Sequence, residues 1–232
     1  MQTGRSVPAV VSLGLALAAA AVVVAQQRSH ALESADGLKL HNVVAAPATL
    51  AGKRGLRLTL APSASGQDVE QLAILDGPPF GNGVIEAEIA GEPGPGAAGG
   101  ARGFVGIAFR VQPDRKTYDA FYLRPTNGRA DDQERRNHAT QYVSHPDWPW
   151  DRLRKETPSR YESYADIVPG AWTKVRIEVR GDKARLFVNG AEQPTLIVND
   201  VKSGSGAKGA VALWLGPGTI AHFRSLTVAP EP

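Results

Sequence analysis

Hydrophobic and polar positions alternate with a period of two over most of the chain, and the cleanest stretch is Val105–Val111. Val105, Ile107, Phe109 and Val111 fall on one side, and Gly106, Ala108 and Arg110 on the other. This is the pattern of a strand with one face against a core. The small residues of the second side leave room above the sheet for a ligand or another layer of chain. Residues 116–124 repeat the rhythm, with Asp119, Phe121 and Leu123 on one side and Tyr118, Ala120, Tyr122 and Arg124 on the other. Strands are also expected over 84–89, 175–180, 184–188, 194–198, 210–215 and 220–228, with shorter ones over 38–44, 56–61, 69–75 and 140–143. Asp76-Gly77-Pro78-Pro79, Asn127-Gly128, Gly181-Asp182 and Asn189-Gly190 punctuate them as turns. No amphipathic helix is legible, and residues 129–138 are too polar for a core helix. About a dozen short strands joined by turns predict an all-β fold, an antiparallel two-sheet β-sandwich of the jelly-roll type, with 105–111 and 175–179 in its interior.

Residues 118–166 break from this rhythm. They hold all five tyrosines of the protein, two of its four tryptophans and two of its five histidines, with eight Lys/Arg and nine Asp/Glu. A linker would lack the aromatics, and a core could not desolvate so many ions. Residues 144–169 carry prolines at 146, 149, 158 and 169, and a connection of that length in a compact domain is expected to fold back over the sheet as a packed cover.

Net charge is +3 with no basic block, which argues against nucleic acid as a partner, because phosphate neutralisation needs a clustered positive face. There is no cysteine, so no disulfide supports the fold. Arg5, the apolar run 7–25 and the small residues Val23-Val24-Ala25 read as a signal peptide, 1–25. Cleavage after Ala31 is a second option, and an uncleaved anchor would be the one route to a membrane. The expected location is extracytoplasmic, secreted or periplasmic. The remaining 207 of 232 residues suit one domain, 26–232. No cofactor or metal is expected: no contiguous calcium loop is present, His138 and His145 lie seven apart without a third ligand in register, and no Ser-His-Asp set, phosphate loop or dinucleotide fingerprint can be read.

Flat rings beside hydrogen-bonding forks are the chemistry of a polar, ring-shaped ligand, and a sugar presents an apolar ring face edged by hydroxyls. The expected partner is an oligosaccharide or polysaccharide, held in one concave site lined by residues 122–152. Trp148 or Trp150 would be the stacking platform, with Tyr122 and Tyr142 beside it, and Arg124 a fork. Asn127, Arg129, Asp132, Asn137, His138, Gln141 and Arg152 complete the candidate ligand-binding set. A hydrolase using the same site would ask Asp131, Asp132, Asp147, Glu162 or His138 to move protons. A structural envelope module, in which Arg–Asp pairs pin the loop, is the third reading. Glu86 and Glu88, at i and i+2, project side by side as the paired acids of retaining glycosidases do, but are expected to be ordinary polar residues of a half-exposed strand.

Three segments carry a resemblance: Trp172-Thr173-Lys174-Val175-Arg176-Ile177-Glu178-Val179, Ala184-Arg185-Leu186-Phe187-Val188-Asn189-Gly190, and Gly209-Ala210-Val211-Ala212-Leu213-Trp214-Leu215-Gly216. With the closing Phe223 and Ser225-Leu226-Thr227-Val228, they resemble the carboxy-terminal half of concanavalin A-like lectin/glucanase domains. Laminin-G-like modules and the 3-keto-disaccharide hydrolase-like family are nearest. The resemblance implies a two-sheet jelly roll whose concave sheet or rim binds saccharides. The acids of laminarinase-type glucanases, Glu-x-Asp-x-(x)-Glu, are met here only by Glu86-Ala87-Glu88-Ile89-Ala90-Gly91-Glu92. The central Asp is a Glu and the third acid falls one residue late, so that mechanism is not carried over.

Overall fold

The computed structural model describes residues 26–65 and 69–231; the expected signal peptide, 1–25, lies outside them, and the alternative cleavage position after Ala31 lies within them. The strands are β1 (Arg28–His30), β2 (Leu38–His41), β3 (Val43–Leu50), β4 (Lys53–Leu60), β5 (Leu72–Leu75), β6 (Asn82–Pro93), β7 (Val105–Val111), β8 (Tyr118–Leu123), β9 (Thr140–His145), β10 (Glu162–Ser163), β11 (Thr173–Arg180), β12 (Lys183–Val188), β13 (Leu196–Val198), β14 (Ala210–Leu215) and β15 (Thr219–Glu231). They form two antiparallel sheets: β13-β12-β11-β6-β15-β4-β3, with β1 also on β15, and β10-β9-β8-β7-β14-β5-β2. The expected sandwich is what the chain forms.

The core lies where the alternation puts it. From the eight-stranded sheet come Ile85, Ala87, Ile89, Val175, Ile177, Val179, Phe223 and Val228, and from the seven-stranded sheet Val105, Ile107, Phe109, Phe121, Leu123, Leu213 and Leu215, all buried. In the first sheet β6 is paired with β11 at Ile85↔Ile177 and with β15 at Ile85↔Val228. One-residue slips in these strands would turn every apolar side chain outward, so burial sets the register.

Several expectations change. The run 38–44 is two strands in different sheets, because Asn42 takes a positive φ of 56° between β2 and β3. β3 extends over Ala45, Ala46, Pro47 and Ala48, residues with little strand preference. It is an edge strand, where a proline missing its N–H costs no ladder bond on the open side. Two short helices stand where none was expected: α1 (Gln133–Asn137) and α2 (Trp150–Glu156). Five and seven residues are too few to show a period. α1 starts at Asp132, whose Oδ1 accepts from the Arg135 N–H at 2.7 Å, and α2 is fastened by Leu153, which is 1% exposed.

Arg110 is the largest correction to the expected faces. β7 is bulged against β14 between Ala210 and Ala212, and Arg110 sits there with φ 56°. The bulge removes it from the Gly106 and Ala108 side. The guanidinium is fully buried and donates to the carbonyls of Gly81, Gly181 and Gly204 at 2.7–3.2 Å and to Ser203 Oγ at 3.0 Å. It therefore ties β7 to the turns at one end of the opposite sheet.

Candidate functional site

The room above Gly106 and Ala108 is taken by rings. A Cβ on Gly106 would meet the Phe121 carbonyl at 2.2 Å and Tyr122 Cβ at 2.6 Å, so the glycine lets β8 and Tyr122 come close. Trp214, on the same face through Trp214↔Gly106, stacks on Tyr122 at 4.7 Å, and Phe104 meets Tyr122 edge-on at 6.1 Å. Trp150, brought in by α2, is 46% exposed and carries the Arg154 and Arg124 guanidinia over its ring at 4.8 and 5.8 Å.

These rings wall a groove over the outer face of the seven-stranded sheet. One cavity of about 370 Å³ is lined by Glu70, Gln71, Phe104, Tyr122, Val143, His145, Trp150 and Trp214 among others. A second of about 460 Å³ shares Phe104 and Trp150 and adds Arg102, Arg124, Asn127, Asp132, Glu134, Arg135, His138 and Arg154. A third of about 510 Å³ adjoins at His145 and reaches Trp148 and Lys202. Each is within the ~300–1,000 Å³ typical of ligand clefts.

Glu162 is the buried hub of the groove floor. β10 pairs Glu162↔Gln141 and β9 pairs Gln141↔Tyr122, so the three share the face. The carboxylate receives Arg124 Nη1 at 2.9 Å and Arg154 Nε at 2.9 Å, a second Arg154 hydrogen bond is closer still, and His138 Nε2 lies at 3.5 Å. Burial by itself would raise the carboxyl, but the hydrogen bonds from Arg154 and the charges of Arg124, Arg154 and His138 outweigh it and hold Glu162 below the usual range. The same bonds raise Arg154. His138 is lowered, by burial first and then by Arg154 and Arg124 against the opposing pull of Glu162. Burial pushes the Tyr122 phenol up to about 12.

A second cluster occupies the neighbouring cavity. Glu70 Oε1 lies 3.3 Å from His145 Nδ1, and Glu70 Oε2 accepts from the Tyr118 hydroxyl. Tyr118 in turn accepts from Trp214 Nε1 at 3.0 Å and stacks on the His145 ring at 5.0 Å. Burial, followed by the Glu70 charge, raises the Tyr118 phenol well above its ordinary value, so it keeps its proton.

The candidate residues divide accordingly. Tyr122, Arg124, Asn127, Asp132, His138 and Trp150 line the groove, and Gln141 lies beneath it. Arg124 is not a free fork: besides Glu162 it donates to Tyr122 Oη, Gln141 Oε1 and the His138 carbonyl. Tyr142 belongs to the opposite, interior face, paired with Phe121 and donating to buried Asp119 at 2.6 Å. Trp148 and Arg152 form their own stack at 3.9 Å beyond His145. Arg129 lies outside the groove in an exposed pair with Asp166 at 2.7 Å, and exposed Asn137 accepts from Gln133. Glu86 and Glu88 lie on the far side of the molecule, on the outer face of the other sheet. Sequence reasoning left out Phe104, Trp214, Glu70, Arg102, Arg135 and Arg154. Trp214 had a signal, since alternation in β14 sets it with Ala212 against Val211, Leu213 and Leu215; the others are joined by register and loop path alone.

A two-sheet sandwich with one covered outer face puts the chain among the concanavalin A-like lectin and glucanase folds. It belongs to the family of 3-keto-alpha-glucoside-1,2-lyase-like domains, whose profile matches residues 53–229. The fold is similar to that of the carbohydrate binding module CBM66 from Bacillus subtilis, at 13% identity and a TM-score of 0.55, over 83% of this chain and 95% of that one. It is also similar to the β-glucanase of Bacillus licheniformis, at 12% identity and a TM-score of 0.51, over 88% of this chain and 98% of that one. At such identities the likeness is one of fold. No curated protein sequence matches the chain.

Proposed function

We propose that the groove binds a saccharide in an exported protein. The observation that carries this reading is the juxtaposition of half-exposed Trp150 with Phe104 and the Tyr122–Trp214 stack, directly beside a polar rim of His138, Asn127 and arginines. Rings bury a sugar's apolar face while the polar groups meet its hydroxyls. Arg124 and Glu162 act from below: spent on each other, they stiffen the floor on which Tyr122 and Gln141 stand. Isothermal titration of a glycan panel against the parent protein and Trp150→Ala is the test. Binding that is weakened in the variant, at an unchanged melting temperature, supports the reading; a lowered melting temperature with unchanged affinity sinks it. Export has its own check, amino-terminal sequencing of the protein from its native host, where a start near Gln26 is expected.

The Glu70–His145 pair favours a second reading, in which the bound sugar is also transformed. A carboxylate 3.3 Å from Nδ1 favours the tautomer protonated there, which would leave Nε2 free to act as a base. The family description names a 1,2-lyase acting on 3-keto-alpha-glucosides, a reaction that needs such a base at C2, next to the ketone. Nε2 would take the C2 proton, the C1=C2 bond would form as the glycosidic C1–O bond breaks, and the departing oxygen would take a proton from water. The product is a conjugated enone, so ultraviolet absorbance on an α-linked 3-keto-glucosyl disaccharide reads the reaction. His145→Asn should abolish turnover and keep binding; an absorbance rise undiminished in that variant removes His145 from the role.

A further inference from the structure

The arginines at the Trp150 end of the groove are unequally compensated. Arg124 and Arg154 share the Glu162 carboxylate. Arg102 and Arg135, which line the same cavity and are half-buried, meet neutral acceptors instead. Arg102 Nη1 donates to the carbonyls of Gly99 at 2.7 Å and Ala101 at 3.0 Å. Arg135 Nε donates to Asn127 Oδ1 at 2.9 Å, and its Nη2 to Thr126 Oγ1 at 3.2 Å and to the Thr126 carbonyl at 3.4 Å. The acids on the rim, Asp132 and Glu134, are exposed, and neither is within ion-pair distance of the two guanidinia; Asp132 Oδ1 caps the Arg135 backbone N–H instead. Among the described residues neither guanidinium forms an ion pair. Burial first, and then the like charges of Arg135 and Arg124, make Arg102 easier to deprotonate than a solvated arginine.

Two guanidinia braced by neutral groups are preorganised, and their remaining N–H groups suit a planar or tetrahedral oxyanion better than a hydroxyl. We propose that this end of the groove is an anion-binding subsite, and that the saccharide taken by the domain carries a negative substituent, a uronate carboxylate or a sulfate ester, held between Arg102 and Arg135 while a ring packs on Trp150. The inference rests on the saccharide reading of the groove and sharpens it to a ligand class.

The test is calorimetric titration of the parent protein with three oligosaccharides of equal length: a uronate trimer, its carboxyl-reduced neutral counterpart, and that neutral trimer bearing a sulfate ester. At least one anionic trimer should bind about tenfold or more tightly than the neutral one at low salt, as expected for one added charge-assisted contact. The advantage should shrink as salt rises from about 0.05 to 0.5 M, since the contact is partly open to solvent. Arg102→Gln should bring the anionic and neutral trimers level. Whichever anionic trimer leads identifies the substituent. Equal affinities of all three for the parent protein overturn the anion-binding subsite and leave the saccharide groove standing. Binding of none overturns both, and an anionic advantage that persists in Arg102→Gln and in high salt overturns the assignment to this arginine pair.

Discussion

The outer faces of the two sheets hold charged residues from the same kind of alternating strand, in opposite circumstances. On the eight-stranded sheet, Glu88 meets Lys53 at 3.1 Å and Arg224 at 3.9 Å, with Lys53 46% exposed. On the seven-stranded sheet, Glu162 meets Arg124 at 2.9 Å with both side chains 6% exposed or less. The difference is the cover. Residues of the β8–β9 and β9–β11 connections, with α1 and α2, fold over one face only, and water is removed from the Arg124–Glu162 pair beneath them. A solvated pair gains little, because both charges are almost as well off in water. A covered pair must satisfy every donor and acceptor internally, and losing one member strands the other.

Breaking the hub is the hardest test of this contrast. Glu162→Gln leaves Arg124 and Arg154 without a counter-charge and is expected to cost roughly 3–5 kcal/mol. At about 2–4 °C per kcal/mol for a domain of this size, thermal unfolding should fall by roughly 10 °C. If Glu162→Gln and Glu88→Gln melt together, the cover does not exclude water and the contrast fails.

Acid should act next, and in two stages. His138 has a lowered folded pKa, so the unfolded chain takes up its proton first and stability starts to fall as pH drops below about 6.5. Glu162 also has a lowered folded pKa; its contribution is present above about 4.3 and is lost as pH falls further, through the folded value. Melting temperature measured against pH should show both stages in the parent and a smaller lower stage in Glu162→Gln, where Asp114, Asp166 and Asp200, also lowered, still contribute. A lower stage undiminished by the substitution would come from those other carboxylates and not from Glu162.

Trp150→Ala separates binding from architecture on the covered face. Its ring is nearly half exposed, so the expected effect is about tenfold weaker saccharide binding, ~1.4 kcal/mol, with little change in melting temperature. Smallest of all is Glu88→Gln, expected to change stability by about 1 kcal/mol or less, and by less again in high salt. A larger loss, seen in denaturant unfolding, would show that this face too is shielded.

Much of the scaffold is legible in the sequence alone. The side-chain sets of β7, β8 and β11 follow from alternation, because burying one face of a pleated strand admits one phase of the pattern. Arg110 escaped that logic, since a bulge turns a strand locally without changing its composition. The cover was legible as a region: its rings, charges and prolines could belong neither to a core nor to a linker. Its internal roles were not. Tyr142 and Tyr122 come from the same segment, yet one enters the core and the other the groove, according to strand phase.

By itself, then, the sequence determined the two-sheet sandwich, its interior residues and the segment that departs from it, because periodicity and composition are local properties. Only the tertiary structure decided that Glu162 stands between Arg124, Arg154 and His138, that Trp214 lies against Tyr122, and that Glu70 reaches His145. These partners are 8 to 92 residues apart in the chain. What joins them is strand register and the path of a covering loop, which burial of the whole domain selects and no single stretch encodes.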